Sequence, residues 1–328
     1  IIQLIMNAER GVILKINKLS LNFHNNDGQT KILEDISIDL HNEEILVVLG
    51  ESGSGKSSLA KSILNLHREE QSTTGGKIIY KNKNLLELND TELENIRGRN
   101  ISYIFQDPHS HLNPLLSVGY QINETIVKHK IANRNSSKKL TCEILSDVGL
   151  KSPGRIYNMY PFQLSGGMKQ RVLIAIAICC IPEIIIADEP TTSLDSNIQR
   201  IIVELLMQLC KKYSISIIWI THNINLAKYV SNNIAIMYGG RIVEYGKKEE
   251  ISSNPRHPYT KDLLRISDLK DHKKNSKLKF IEGNPFNFST KKETCVYLDK
   301  CSKKIDSCNN KKIEYIEKNN HKYLCIHE

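Results

Sequence analysis

Residues 43–66 read EEILVVLGESGSGKSSLAKSILNL, and the reading of this stretch decides the fold. Ile45 to Leu49 form an uninterrupted apolar run that predicts a buried strand. A glycine-rich loop follows, and after it apolar residues return at helical spacing. Within the stretch, Gly50 to Ser57 (GESGSGKS) fits the pattern GxxxxGK[ST], placed between strand and helix. That placement matters physically. Glycines let successive backbone N–H groups curl around phosphate oxygens, while the helix N-terminus adds its dipole. The expected phosphate contacts are Gly50, Ser52, Gly53, Gly55, Lys56, Ser57 and Ser58. Lys56 reaches the β- and γ-phosphates and Ser57 ligates Mg2+.

Two further apolar runs fit the same core. EIIIADEP, from Glu183, ends its strand in Asp188 and Glu189, and ISIIWITHN runs from Ile215 to Asn223. Apolar strands separated by helices indicate a mostly parallel sheet covered on both faces, hence an α/β fold. Two acids after a strand often do no more than cap a helix. In a chain that carries a phosphate loop upstream, Asp188 is expected to hold Mg2+, directly or through water, and Glu189 to polarise an attacking water. LSGGMKQR, Leu164 to Arg171, places a serine and two glycines at a helix start, a second N-terminus able to bind an anion.

Between Gln106 and Ser165 the pattern changes to polar and amphipathic stretches, which predict an inserted helical subdomain over about residues 107–170. After YTKDLLRI the periodicity fades into a lysine- and asparagine-rich linker, Ser267 to Lys279, so the domain boundary is placed near Ser267. The expected division is residues 1–266 and a smaller extension, 267–328.

Hydrophobic residues at 40% and charged residues at 25% are ordinary globular values and argue against wholesale disorder or a membrane-embedded chain. The longest apolar run, Val172 to Ile181, is well short of the ~18 residues a membrane span needs. The first residues lack a basic leader, so the chain is expected to stay in the cytosol, where cysteines are thiols or metal ligands. The formal net charge of +9 rests largely on lysines after Ser267 and reads as a solvated basic surface, with no nucleic-acid partner expected.

Taken together, these segments resemble the ATP-binding subunits of ABC transporters, whose fold is a P-loop NTPase core with an inserted helical subdomain. The resemblance implies further roles. Ser165, Gly166 and Gly167 are similar to the signature that contacts ATP held by the partner subunit. Gln106 in YIFQDP looks like the Q-loop residue that senses Mg2+ and the attacking water. Asp195 in SLD looks like the D-loop at the dimer seam, His222 like the switch histidine, and Phe23 like the aromatic that stacks on adenine. Two positions depart from the family pattern. Asn223 stands where an aspartate is usual, and Phe162 where a histidine is common.

FQDPHSHLNPLLSVGYQI and NPRHPYTKDLL are similar to segments of the dipeptide, oligopeptide and nickel branch. That branch implies a second ATP-binding subunit, often a paralogue, two transmembrane permease subunits and an extracytoplasmic solute-binding protein, with this chain peripheral at the cytoplasmic face of the cell (inner) membrane. The expected activity is ATP hydrolysis driving import of di- or oligopeptides. A nickel or metal-chelate importer is the alternative, and a non-transport ABC ATPase the remoter one.

Half of the eight cysteines, Cys295, Cys301, Cys308 and Cys325, fall in the extension. Four thiolates can hold zinc or a 4Fe-4S cluster. Zinc sites favour pairs ~2 to 4 residues apart, whereas this wider spacing leans towards iron and sulfur, as do family members with a similar four-cysteine segment. Zinc, with His321 or His327 as substitute ligands, and free thiols or disulfides stay open. Cys142, Cys179, Cys180 and Cys210 lie on apolar helical patterns and read as small core residues.

Overall fold

A computed structural model of the chain describes residues 11–25, 28–67, 71–270, 286–288, 294–310 and 313–327. The leader reading of the first ten residues, and the linker from 271 onward, lie outside these. The chain divides into two compact units, Leu88–Trp219 and, so far as described, Val12–Glu87 with Ile220–Glu328.

The first part of the second unit holds β1 (Val12–Asn25), β2 (Gly28–His41), β3 (Ile45–Leu49), α1 (Lys56–Ile63), β4 (Ser72–Tyr80) and β5 (Lys83–Asn84). An antiparallel sheet of order β2-β1-β4-β5, absent from the sequence reading, is built here. Its inner face buries Leu14, Ile16, Leu19 and Leu21 of β1 against Leu33, Ile36, Ile38 and Leu40 of β2. A register shift between Ile16 and Leu19 keeps both on that face despite their odd spacing, which is why simple alternation hides the strand.

The Leu88–Trp219 unit comprises α2 (Asp90–Ile96), β6 (Ile101–Ile104), α3 (Pro108–His111), α4 (Val118–Lys128), α5 (Arg134–Asp147), α6 (Pro153–Tyr157), α7 (Gly166–Ile178), β7 (Ile184–Asp188), α8 (Ser196–Tyr213) and most of β8 (Ser216–Thr221). β6 and β7 pair in parallel from Ile101 opposite Ile184 to Ile104 opposite Ala187, and β7 is buried throughout. Helices α3 to α6 and the first residues of α7 fall in the stretch 107–170 read as a helical subdomain, and α7 runs on to Ile178. Val118, Ile122 and Ile126 form the buried stripe of α4. Asn123 bridges the Tyr157 hydroxyl of α6 and the Thr141 hydroxyl of α5. Ser117, Asn133, Ser165 and Asp195 each accept a backbone N–H at a helix start, a cap contributing roughly 1 kcal/mol.

The chain then returns to the second unit with α9 (Ile224–Val230), β9 (Asn233–Tyr238), β10 (Arg241–Lys247), α10 (Lys248–Ser253), α11 (Pro258–Lys270), α12 (Asp306–Asn310), β11 (Ile316–Lys318) and β12 (His321–Tyr323). β3 lies parallel to β9, with Leu46 opposite Asn233 and Leu49 opposite Ile236. β9, β10, β12 and β11 continue outward as antiparallel neighbours, so the end of the chain joins the sheet that carries the phosphate loop. Helix α11 runs through Ser267, whose hydroxyl donates to the Leu264 carbonyl, at the position read as a domain boundary.

Candidate functional site

The apolar strand β3 ends at Leu49, and the phosphate loop turns directly into α1. Gly53 and Gly55 sit at φ 77° and 102°, left-handed backbone that favours glycine. Gly50 is required for a different reason. A Cβ there would stand 2.2 Å from the Met237 carbonyl oxygen of β9 and 2.7 Å from Ser54 Oγ. The Lys56 ammonium, buried with 5% of the residue exposed, donates to the carbonyls of Gly50 (2.9 Å) and Glu51 (2.8 Å). It thus lies folded over the loop, where phosphate oxygens would compete with those carbonyls. Ser54 Oγ is buried without a hydrogen-bond partner, an orphaned polar atom inside the cradle, so the loop has the features an incoming anion would satisfy.

Phe23, the candidate adenine platform, projects from β1 in this same unit. Its ring meets His67 edge-on, with centroids 5.5 Å apart. The His67 ring nitrogen is 3.0 Å from the Ser58 carbonyl of α1. Burial lowers the His67 pKa and nearby Lys61 adds to this, against the opposing bond to Ser58, so the ring is neutral at pH 7 and donates. His67 was not a sequence candidate, because nothing in its neighbourhood of sequence marks it. Among described residues it nonetheless ties the aromatic to the helix that follows the phosphate loop.

The acids belong to the Leu88–Trp219 unit. Asp188, at the end of β7, is 5% exposed and accepts a hydrogen bond from the Tyr103 hydroxyl at 2.8 Å. Burial, and then the Asp188 charge and hydrogen bond, push the Tyr103 pKa well up, so the phenol stays a donor. Glu189 takes the left-handed conformation, φ 47°, uncommon for a non-glycine residue and a strain that points to a functional position. Its Oε2 accepts from Thr192 Oγ1 at 2.8 Å and from Gln106 Nε2 at 3.4 Å. Gln106 and Glu189, separate in sequence, are thereby brought together. Tyr103 and Thr192 are the partners that sequence reasoning missed. Neither residue caps the following helix, a task that falls to Asp195.

The LSGG stretch and the SLD stretch also meet within this unit. Ser165 caps α7 by accepting from the Met168 N–H, and a Cβ on Gly167 would stand 3.0 Å from Ile198 Cγ2 of α8. Asp195 Oδ1 caps α8 by accepting from the Ile198 N–H at 3.0 Å, and a Cβ on Gly166 would stand 3.7 Å from Leu194 Cδ2 in the loop before it. Phe162 is exposed and stacks on Tyr160.

His222 follows β8 in the other unit and is exposed. Asn223 caps α9, its Oδ1 accepting from the N–H groups of Asn225 and Leu226, while its own N–H donates to Thr221 Oγ1. The departure from aspartate therefore preserves the capping geometry.

Among the other cysteines, Cys179, Cys180 and Cys210 are buried and Cys142 is half-buried. Burial pushes the Cys210 thiol up to about 12. In the extension, Cys308 and Cys325 are buried and Cys295 and Cys301 half-buried. Burial pushes Cys295 up to about 11, opposed by a bond from the Tyr297 N–H and reinforced by the charges of Cys308, Cys301 and Cys325. Cys301 and Cys325 are likewise raised, first by burial and then partly by their fellow cysteines. Cys295 thus feels the charges of all three other thiols of the extension. No group of three or more His, Cys, Asp or Glu among the described residues is nevertheless placed to hold a metal ion. His321, considered as a substitute ligand, instead lies buried with Nε2 2.7 Å from Glu244 Oε1. No helix among the described residues is long and apolar enough to cross a membrane.

Comparison with known proteins finds two family matches along the chain. A family described as ABC transporter matches residues 33–192, and one described as Oligopeptide/dipeptide transporter, C-terminal region, matches residues 243–308. The chain is 38% identical to the dipeptide transport ATP-binding protein DppD of Bacillus subtilis, covering 90% of this chain and 88% of that protein. It is 40% identical to the oligopeptide transport ATP-binding protein AmiE of Streptococcus pneumoniae, over 85% and 79% respectively. Among solved structures, the dimeric ATP-binding cassette MJ0796 bound to ADP and Pi superposes with a TM-score of 0.64 and 29% identity, covering 72% of this chain and 98% of that one.

Proposed function

This chain belongs to the ATP-binding subunits of ABC transporters, in the dipeptide and oligopeptide branch, and from that premise we propose that it hydrolyses ATP to power import of di- or oligopeptides. One observation carries the reading. The ABC transporter match and the oligopeptide/dipeptide C-terminal match stand in order on a single chain whose phosphate loop is already shaped as an anion cradle.

In this mechanism Lys56 exchanges the carbonyls of Gly50 and Glu51 for β- and γ-phosphate oxygens, and the N–H groups from Gly53 to Ser58 complete the cradle. Ser57, Asp188 and Gln106 are the residues that would hold Mg2+, which would supply charge neutralisation when bound. Tyr103 steadies Asp188, while Thr192 and Gln106 aim the Glu189 carboxylate so that it takes a proton from the attacking water. Phe23 carries the adenine, and His222 contacts the γ-phosphate. Ser165, Gly166 and Gly167 act on ATP held by a second ATP-binding subunit, with Asp195 at the seam between the two. Glu189→Gln is expected to keep ATP affinity within about twofold while cutting turnover by at least ~100-fold, the range lost with a general base. Steady-state phosphate release beside equilibrium ATP binding checks this, and unchanged turnover would remove Glu189 from the role.

The proposed partners are a second ATP-binding subunit, of the same or a paralogous chain, two transmembrane permeases and an extracytoplasmic solute-binding protein, with this chain at the cytoplasmic face of the membrane. Residues 267–328 are proposed as an extension of a nucleotide-binding part, 1–266. Cys295, Cys301, Cys308 and Cys325 are the proposed donors of a 4Fe-4S cluster, zinc being the second choice. The charges of the other three thiols felt at Cys295 support this, and thiolate formation on binding would offset the raised pKa values of Cys295, Cys301 and Cys325. Iron, sulfide and zinc content of the chain purified without oxygen decides between them. Absence of all three would reduce the thiols to packing.

A further inference from the structure

We propose that helix α11 and the extension together hold the phosphate loop in its working shape, with Tyr259 of α11 and Lys300 of the extension as positioning residues that act through Glu51. The inference rests on the phosphate loop binding ATP as proposed above. Glu51 is the second residue of the loop, and three of its groups are engaged. Its N–H donates to the Tyr259 hydroxyl at 3.0 Å, its carbonyl accepts from Lys56 Nζ at 2.8 Å and from the Ser54 N–H at 3.2 Å, and its carboxylate meets Lys300 Nζ at 3.4 Å. Two of these partners, Tyr259 and Lys300, come from the far end of the chain, and both are deeply placed. Tyr259 is 0% exposed, and the Lys300 side chain is 7% exposed with its ammonium 5.6 Å from the Tyr238 ring centroid.

The support behind them is a packed aromatic cluster. Tyr297, between Cys295 and Cys301, packs its ring 5.3 Å from Tyr259 and 5.1 Å from Tyr238, and its hydroxyl donates to Asp262 of α11 at 2.8 Å. Lys300 follows three residues later on the same short turn, and its N–H donates to the Tyr297 carbonyl. An aromatic cluster alone would bury apolar surface. This one instead directs one hydroxyl and one ammonium at a single residue of the loop.

The chemistry gives a reason. A carboxylate in a loop that receives phosphates repels its ligand, and with the Glu51 side chain 32% exposed solvent screens that repulsion only in part. Lys300 cancels that charge where it arises, and Tyr259 fixes the direction of the first peptide of the cradle. Without Lys300, the Glu51 carboxylate faces the phosphates uncompensated.

Binding of Mg-ATP to the purified full chain, measured by calorimetry, tests this, with the nucleotide-free thermal midpoint read alongside. Lys300→Met is expected to weaken binding about tenfold, Lys300→Arg to restore it, and Lys300→Met in a Glu51→Gln background to cost less than about twofold. An equal loss in both backgrounds, or a lowered midpoint with unchanged affinity, overturns the inference. Lys56→Ala separates it from the reading on which it rests. If Lys56→Ala abolishes binding while Lys300→Met leaves it unchanged, the positioning role fails alone. If Lys56→Ala still binds, the loop itself was misread.

Discussion

The phosphate loop and the carboxy-terminal extension lie in one compact unit yet are held by opposite means. In the loop the main polar contacts are local, Lys56 reaching carbonyls six and five residues behind it. In the extension they are remote. Tyr297 reaches Asp262 across 35 residues, Tyr315 the Ile242 carbonyl across 73, His321 Glu244 across 77 and Lys300 Glu51 across 249. A structure written in local contacts can be recognised as a string of residues. One written in remote contacts has to be seen folded.

The comparison is not absolute, and its largest expected failure lies at Gly50. The reason for that glycine is remote, the Met237 carbonyl 2.2 Å from where a Cβ would stand, and backbone cannot step aside as a flexible side chain can. Gly50→Ala is expected to abolish measurable ATP binding and to cost about 2 kcal/mol or more in stability, as overpacking does. An ATP titration with a denaturation curve checks both. Full retention of binding would show that the loop is local after all.

The segment that leads into the extension should respond to pH. His257 is buried, its N–H donating to Glu244 Oε2 and its Nδ1 accepting from the Tyr259 N–H. Burial, aided by Lys261 and opposed by Glu244, lowers its pKa from 6.5 to about 4. Between those values the unfolded chain binds more protons than the folded one. The contribution is therefore present in full above pH 6.5 and is lost as pH falls towards 4, by about 3 kcal/mol in total. Thermal midpoints of the native chain and of His257→Asn, compared from pH 7 to 4, should diverge over that window. Parallel curves would show that His257 does not carry the effect.

The same contrast explains what the sequence alone disclosed. β3, β7 and the start of α1 are visible because unbroken apolar runs and a glycine pattern state them locally. The antiparallel sheet of β1, β2, β4 and β5 was hidden by bulges that break the alternation. The β10, β12 and β11 extension of the main sheet was hidden because its last strands are three residues long and take their partners from a distant segment. At the candidate site Gln106, Asp188 and Glu189 were legible from motifs. Tyr103, Thr192, His67, Tyr259 and Lys300 were not, since each acquires its role only through a partner brought by the fold. His321 shows the reverse error: a polar residue in a polar tail looks solvated or ready for a metal, yet it is buried on Glu244.

The smallest effect expected is at Asn223, the local case at its purest. Its side-chain oxygen accepts from the N–H groups of residues 225 and 226 at 3.0 and 3.2 Å, and a carboxylate oxygen in the same place would accept both. Asparagine and aspartate cap helices about equally well, and the added charge at a helix N-terminus contributes only ~0.3 to 1 kcal/mol when exposed. Asn223→Asp should therefore shift stability by no more than about 1 kcal/mol and leave ATP turnover within about threefold. Urea denaturation and phosphate release measure the two. A tenfold change in turnover at unaltered stability would mean that residue 223 acts on its neighbour His222, and that even a local cap cannot be read without what stands beside it.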